Sequence, residues 1–150
     1  GCDGVLFVPH IHGERAPVWD PGAAGAFYGL TRGTGRAHLV RAAVEGVALN
    51  LRLIAQALPP WKACRSIALS GGAAQDPLWQ RVVADVFDRP VEVASPEAAD
   101  ASVLGAVMLA REALGLKPMP PVRPAIVLVP DAHGAAAYRD ALAGFWCAAS

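Results

Sequence analysis

An apolar run, Ile67-Ala68-Leu69, breaks off at Ser70-Gly71-Gly72, and a helical pattern takes over from Pro77. This junction constrains the fold more than any other stretch. A strand that ends in two glycines and resumes as a helix belongs to layered α/β structure. Neither glycine has a Cβ, so the turn brings bare backbone up to whatever lies above it. The first amides of the following helix are expected to point outward unpaired, which suits a phosphate or a nucleotide. A Gly-Gly pair after a strand is also an ordinary tight turn, and the pattern alone does not decide between the two. Asp76 ahead of Pro77 makes a good helix start, since aspartate caps and proline suits the first turn.

The same punctuation recurs along the chain. Gly4 to Pro9, with Val5-Leu6-Phe7-Val8, is expected to be a buried strand, and His10 to Ala24 a loop rich in glycine and proline. Ala26 to Leu30 is expected to be a short strand, with Thr34 as cap of the next helix. From there Val40, Val44, Val47, Leu51, Ile54 and Leu58 recur at steps of three and four. This predicts an amphipathic core helix with that stripe buried, ended by Pro59-Pro60. Strands at 66–70 and 91–93 alternate with helices at 77–87 and 101–114, the first of them stopped by Pro90. This alternation predicts βαβ units and an α/β fold. Pro118, Pro120, Pro121 and Pro124 predict a stiff connector, followed by the apolar run Ile126-Val127-Leu128-Val129 and a helix carrying Tyr138, Leu142 and Phe145 on one face.

Composition narrows the function. With 150 residues the chain is long enough for one real core. Thirteen basic and thirteen acidic side chains give zero formal charge, which leaves nucleic-acid binding without an electrostatic footing. No apolar run reaches the roughly 18 residues of a membrane span. The three cysteines, Cys2, Cys64 and Cys147, lie far apart. They suggest neither a disulfide framework nor a zinc cluster, so a reducing, cytoplasmic home is expected. Hydrophobic residues make up 54% and charged residues 17%. Abundant alanine accounts for part of that excess, and the rest suggests that a partner covers apolar surface.

Four segments in order carry a family resemblance. They are Gly13-Glu14-Arg15-Ala16-Pro17-Val18-Trp19-Asp20-Pro21, the block from Gly25 to Glu45, Ser70 to Trp79, and Ala101-Ser102-Val103-Leu104-Gly105-Ala106. Together they resemble the C-terminal domain of the FGGY family of carbohydrate kinases, over roughly residues 3 to 115. The resemblance implies a ribonuclease-H-like fold of the actin, hexokinase and Hsp70 ATPase type, the C-terminal lobe of a two-lobed sugar kinase. Residues 1–117 would form the nucleotide-binding lobe, and residues 118–150 a proline-rich connector and a helix packed on it. The implied activity is transfer of the ATP γ-phosphate, with Mg2+, to a hydroxyl of a sugar or sugar acid. The implied nucleotide contacts are the backbone of Gly71, Gly72 and Ala73, with Asp76 near the base and Gly105 letting its helix pack close to the sheet. The family more often has glycine where Ala73 stands.

In this family the first phosphate loop, most sugar contacts and the catalytic aspartate lie upstream of the matched residues. The resemblance therefore assigns no catalytic residue and no metal ligand to this chain, and the N-terminal kinase lobe becomes its implied partner. A second copy of the chain is a further candidate partner. The Gly-Glu-Arg-Ala-Pro loop and Gly46-Val47-Ala48-Leu49-Asn50-Leu51 look most like gluconate-type kinases, with xylulose-type kinases next and glycerol kinases less favoured. A stand-alone nucleotide-binding or interaction module, or an actin-like or Hsp70-like ATPase, remains as a reading of another class.

Several residues have a structural and a functional reading side by side. Glu14-Arg15 either reaches toward substrate or forms a salt bridge that orders the proline-rich loop. His10 and His12 share a face of an extended segment, but two imidazoles without a third ligand do not make a metal site. Asp85 and Asp88 are expected on a solvated helix face. Glu45, beside Gly46, is expected to be buried and paired with Arg41 or with backbone. Trp19 and Trp79 are expected to pack, with the alternative that an aromatic beside the Gly-Gly turn borders the adenine.

Overall fold

A computed structural model describes residues 2–95, 100–120 and 123–149; Pro121 of the expected connector lies outside them. Strands β1 (Leu6–Val8) and β2 (Ala26–Tyr28) form an antiparallel pair. A long helix, α1 (Arg36–Ala57), follows, and a 3-10 turn at Pro59–Ala63 leads into β3 (Ile67–Leu69). Next come α2 (Pro77–Phe87), β4 (Val91–Ala94), α3 (Ala101–Ala113), β5 (Pro124–Leu128) and α4 (Ala132–Ala149). The second sheet has the order β3-β4-β5. The expected βαβ unit is present, because β3 and β4 run parallel with α2 between them. Strand β5 runs antiparallel to β4. The longer connection through α3 and residues 114–123 leaves the next strand free to enter from the opposite end.

The core lies where α1, α2 and α4 meet the sheets. Val8, Leu49, Val82, Val91, Val93 and Phe145 are its largest fully buried side chains. Helix α2 is buried nearly all round, with Gln80 and every residue from Val82 to Phe87 inside. It starts as expected, with the Asp76 carboxylate accepting from the amides of Leu78 (2.8 Å) and Trp79 (3.0 Å). It ends at Asp88, whose left-handed backbone (φ 52°) precedes Pro90. Helix α4 buries Ala135, Tyr138 and Phe145, so two of its three predicted inward residues are core.

Helix α1 contradicts the stripe expectation. Its buried residues are Ala42, Glu45, Gly46, Ala48, Leu49 and Leu53. Val40, Val47, Leu51 and Leu58, four of the predicted core positions, are exposed. At 100° per residue the two sets lie on opposite sides. Both sides of α1 are therefore apolar, and only one is covered. Gly46 explains which one. A Cβ there would overlap the carbonyl oxygen of Phe7, so the helix crosses β1 at the one point where glycine permits that approach.

Beside Gly46, Glu45 is buried and hydrogen-bonded as expected. Its carboxylate accepts from Arg41 Nε (2.6 Å), Tyr138 Oη (2.6 Å) and Cys2 Sγ (3.3 Å). Burial opposes the charge, but the bonds from Tyr138, Arg41 and Cys2 outweigh it and hold the Glu45 carboxyl below its ordinary value. Burial and the neighbouring carboxylate push the Cys2 thiol up to about 12.

Other expectations are corrected by long-range contacts. Gly35, not Thr34, caps α1; the Thr34 hydroxyl instead accepts the Thr31 amide at 2.9 Å and closes the preceding turn. Asp85 is not solvated but buried, because the start of α4 returns over it and the Asp131 amide donates to it at 2.8 Å. Asp88 is more open and pairs with Arg139 at 3.0 Å. Trp79 packs against the core, whereas Trp19 is 76% exposed. Among the described residues no helix is long and apolar enough to cross a membrane, and the three cysteines are free.

Two predictions follow from these contacts. Glu45→Gln should cost about 3 kcal/mol at pH 7, since it leaves a part-buried arginine without its carboxylate. A carboxyl held low in the fold stabilises above its unfolded value, about 4.3, and that contribution is lost as pH falls through the folded value. The wild-type advantage over Glu45→Gln should therefore shrink in urea melts below about pH 4; an equal gap at pH 7 and pH 3 would contradict it. Separately, Val40→Gln and Leu51→Gln should each change stability by less than about 0.5 kcal/mol as exposed substitutions. A core position would cost about 2–5 kcal/mol, so a loss of that size in the isolated chain would contradict the exposed assignment.

Candidate functional site

Between β3 and α2 the chain makes a turn with two different faces. Gly71 has φ 92° and ψ −179°, a conformation open to glycine and strained for other residues. A single 3-10 turn, Gly72–Gln75, follows; the Ala74 amide donates to Gly71 O (3.1 Å) and the Asp76 amide to Ala73 O (3.2 Å). Ala74 points inward and is fully buried, and its carbonyl accepts the Gln80 side-chain amide at 2.7 Å. The inner face of the turn is thereby pinned to α2. The outer face is bare, because a Cβ built on either Gly71 or Gly72 would meet no atom within 4 Å.

That outer face borders a cavity of about 480 Å3, lined by Ser70, Gly71 and Gly72 on one side and Asp100, Ala101 and Ser102 on the other. Asp100 caps α3, accepting the Val103 amide at 3.1 Å. Two hydroxyls, backbone and the remaining carboxylate oxygen thus face a space sized for a small ligand. A second recess of about 280 Å3 shares Ser70 and Ala101 with the first and continues past Leu69, Leu104, Gly105 and Met108. It adds an apolar floor beside the polar cavity.

The structure separates the five residues singled out in the sequence. Gly71 and Gly72 line the cavity, and Ala73 is exposed one residue further along the turn. Asp76 does not line it; its Oδ1 accepts both amides at the start of α2. The expectation of free helix amides fails for the same reason: a 3-10 turn intervenes, and the helix that follows is already capped. Gly105 lies in the second recess, but the expected tight packing is absent. No atom comes within 4 Å of a Cβ there, and none of the described residues of α3 is buried. Asp100, Ser102 and Gln80 were missed. Asp100 and Ser102 carry an ordinary helix-start signal in the sequence, which says nothing about what they face. Gln80 is a polar residue on a helix whose buried side was not foreseeable without Ala74.

The outlying candidates also resolve. His10 is buried, with Nδ1 2.6 Å from the buried Glu14 carboxylate. Glu14 accepts the Ala16 amide at 2.6 Å, so it is Glu14 that orders the loop. Arg15 is exposed and has no partner among the described residues, so the expected Glu14-Arg15 salt bridge does not form. Among the described residues no group of three or more His, Cys, Asp or Glu converges for a metal.

Comparison with known proteins places this geometry. Residues 1–114 match the model for the FGGY family of carbohydrate kinases, C-terminal domain. A gluconokinase of Bacillus licheniformis is 41% identical over 117 residues, which cover 77% of this chain and 22% of that protein. A ligand-bound xylulose kinase from Lactobacillus acidophilus superimposes with TM-score 0.84 at 29% identity, covering 97% of this chain and 31% of the other. A Plasmodium falciparum glycerol kinase with ADP gives TM-score 0.75 at 25% identity, over 99% of this chain and 30% of that one. The fold is thus the ribonuclease-H-like α/β fold of these kinases, and the chain spans under a third of the length of each of these three proteins. The chain belongs to the FGGY family of carbohydrate kinases and corresponds to their C-terminal domain.

Proposed function

We propose that this chain is the ATP-binding C-terminal part of a kinase that transfers the ATP γ-phosphate to a hydroxyl of a sugar or sugar acid. The single observation that carries the nucleotide assignment is the bare outer face of Gly71 and Gly72, open to a polar cavity while its inner face is fixed by Ala74 and Gln80. A rigid turn without side chains lets adenosine or phosphate oxygens reach backbone amides at no cost in rearrangement. The glycerol kinase neighbour with ADP supports the same class of ligand. Bound ATP would supply the phosphoryl group; these residues position the nucleotide, and Asp76 serves the helix rather than the base.

Among the described residues magnesium does not find its ligands here. The one carboxylate of these that lines the cavity, Asp100, already caps α3, and a hard cation needs several oxygens. We assign the metal to the nucleotide phosphates and to residues outside this chain. The base for the sugar hydroxyl is assigned outside it as well, so the chain by itself should not turn over. Asp3 is 88% exposed and 3.3 Å from His38, a surface pair rather than a base in a closed site. The uncovered apolar side of α1 supports a missing lobe, since a helix apolar on both sides is ordinarily enclosed. Residues 1–117 are taken as the lobe proper and 118–150 as its connector and packed helix, in a cytoplasmic enzyme. Gluconate is the first choice of substrate, supported by the Bacillus gluconokinase, and xylulose the second, supported by the Lactobacillus structure.

Calorimetric titration of the chain with ADP tests the nucleotide assignment. Gly72→Val puts a branched side chain into the open cavity and should weaken ADP at least about tenfold, a loss of about 1.4 kcal/mol, with the circular dichroism unchanged. Equal affinity in a folded variant would contradict the site. Asp76→Ala should behave in the opposite way, losing about 1 kcal/mol of stability with its helix cap and leaving the affinity for ADP unchanged.

A further inference from the structure

The loop between β1 and β2 is held far more rigidly than a connector requires. Glu14 and Asp20 exchange backbone hydrogen bonds at 2.8 and 3.0 Å. The Glu14 carboxylate accepts the Ala16 amide with one oxygen and meets His10 at 2.6 Å and Asn50 at 3.4 Å with the other. Both His10 and Glu14 are buried. This scaffold holds a concave cleft of about 440 Å3, lined by His12, Glu14, Arg15, Trp19 and Pro21, a size within the usual range for small-molecule sites.

What the cleft presents is not explained by packing. Arg15 is exposed and without a partner among the described residues. Trp19 is 76% exposed, although tryptophan carries a large apolar surface that is ordinarily covered. His12 adds a second nitrogen donor. The Glu14 carboxylate, held from behind by the Ala16 amide and Asn50, keeps lone-pair capacity for a hydroxyl at the cleft wall. A planar guanidinium matches a carboxylate through two parallel hydrogen bonds. An aromatic face beside it suits the apolar face of a short polyol chain.

We propose that this cleft recognises a sugar acid, with Arg15 and His12 on its carboxylate, Glu14 on a hydroxyl and Trp19 against its carbon chain. As a substrate-recognition site the cleft rests on the kinase reading above, but its binding chemistry lies entirely within this chain and apart from Gly71 and Gly72. It makes the acid group itself, rather than the sugar alone, the feature selected by the C-terminal part.

The test is an amide NMR titration of the chain with potassium D-gluconate, at ionic strength matched with potassium chloride. Saturable shifts confined to residues 12–21 are expected, with affinity reduced at least tenfold in Arg15→Ala and in Trp19→Ala and partly restored in Arg15→Lys. Because Arg15 and Trp19 are exposed, both variants should keep the dispersed spectrum. Neutral D-xylulose should bind at least tenfold more weakly. Absence of saturable shifts, equal binding of xylulose, or equal binding of inorganic phosphate would each overturn the proposal. ADP added separately reports on Ser70 to Gly72, so failure of the sugar-acid cleft and failure of the nucleotide site give different spectra.

Discussion

The architecture depends on one buried carboxylate. Glu45 sits on the covered side of α1 and joins three separate parts of the chain through Cys2, Arg41 and Tyr138. Taking a charge out of water costs several kcal/mol unless donors replace the lost solvent. Here a guanidinium, a phenol and a thiol do so, and the cost falls on any arrangement in which one of them is displaced. The N-terminal segment, the long helix and the last helix are thereby fixed in one relation. The adjoining Gly46 permits it, because α1 must lie against the backbone of Phe7 for Glu45 to sink that far.

From that anchor the rest of the packing follows. Leu49 and Leu53 are carried to α2, and Arg52 reaches the carbonyls of Val86 and Phe87 at its end. Helix α2 in turn holds Ala74 through Gln80, and so fixes the inner face of the Gly71-Gly72 turn. Bare backbone at a ligand site is useful only if it is already in place before binding, since ordering it afterwards would consume binding energy. The chain meets that requirement on one side of the cavity. Helix α3, on the other side, has no described residue buried, so the polar cavity has one firm wall and one lightly packed one.

Much of this was legible in the sequence, and the legible part was local. The Asp76-Pro77 start, the stop at Pro90 and the strand before Gly71 each depend on neighbours within a few residues. Glu45 with Arg41 was legible too, because four residues along a helix is a contact. What was not legible depended on distant chain. The stripe from Val40 to Leu58 is periodic and apolar, but periodicity cannot say which of two apolar sides meets the core. Only Gly46 against Phe7 decides it. Asp85 looks solvated until α4 returns across it, and Asp100 looks like a plain cap until the cavity places it opposite Gly71 and Gly72. Of the two readings of Glu14-Arg15 the salt bridge does not form, because the buried Glu14 carboxylate is taken by His10, the Ala16 amide and Asn50 and leaves Arg15 exposed.

The central claim is that the Gly71-Gly72 turn is a preformed nucleotide half-site within this chain, and the most direct measurement is a two-dimensional amide spectrum titrated with ADP and Mg2+. The account predicts a dispersed spectrum in which shifts concentrate at Ser70 to Gly72 and at Asp100 to Ser102, while Leu78 and Trp79, held by the Asp76 cap, stay in place. A dispersed spectrum that ignores ADP, or one whose shifts gather at the start of α2 instead, would contradict it.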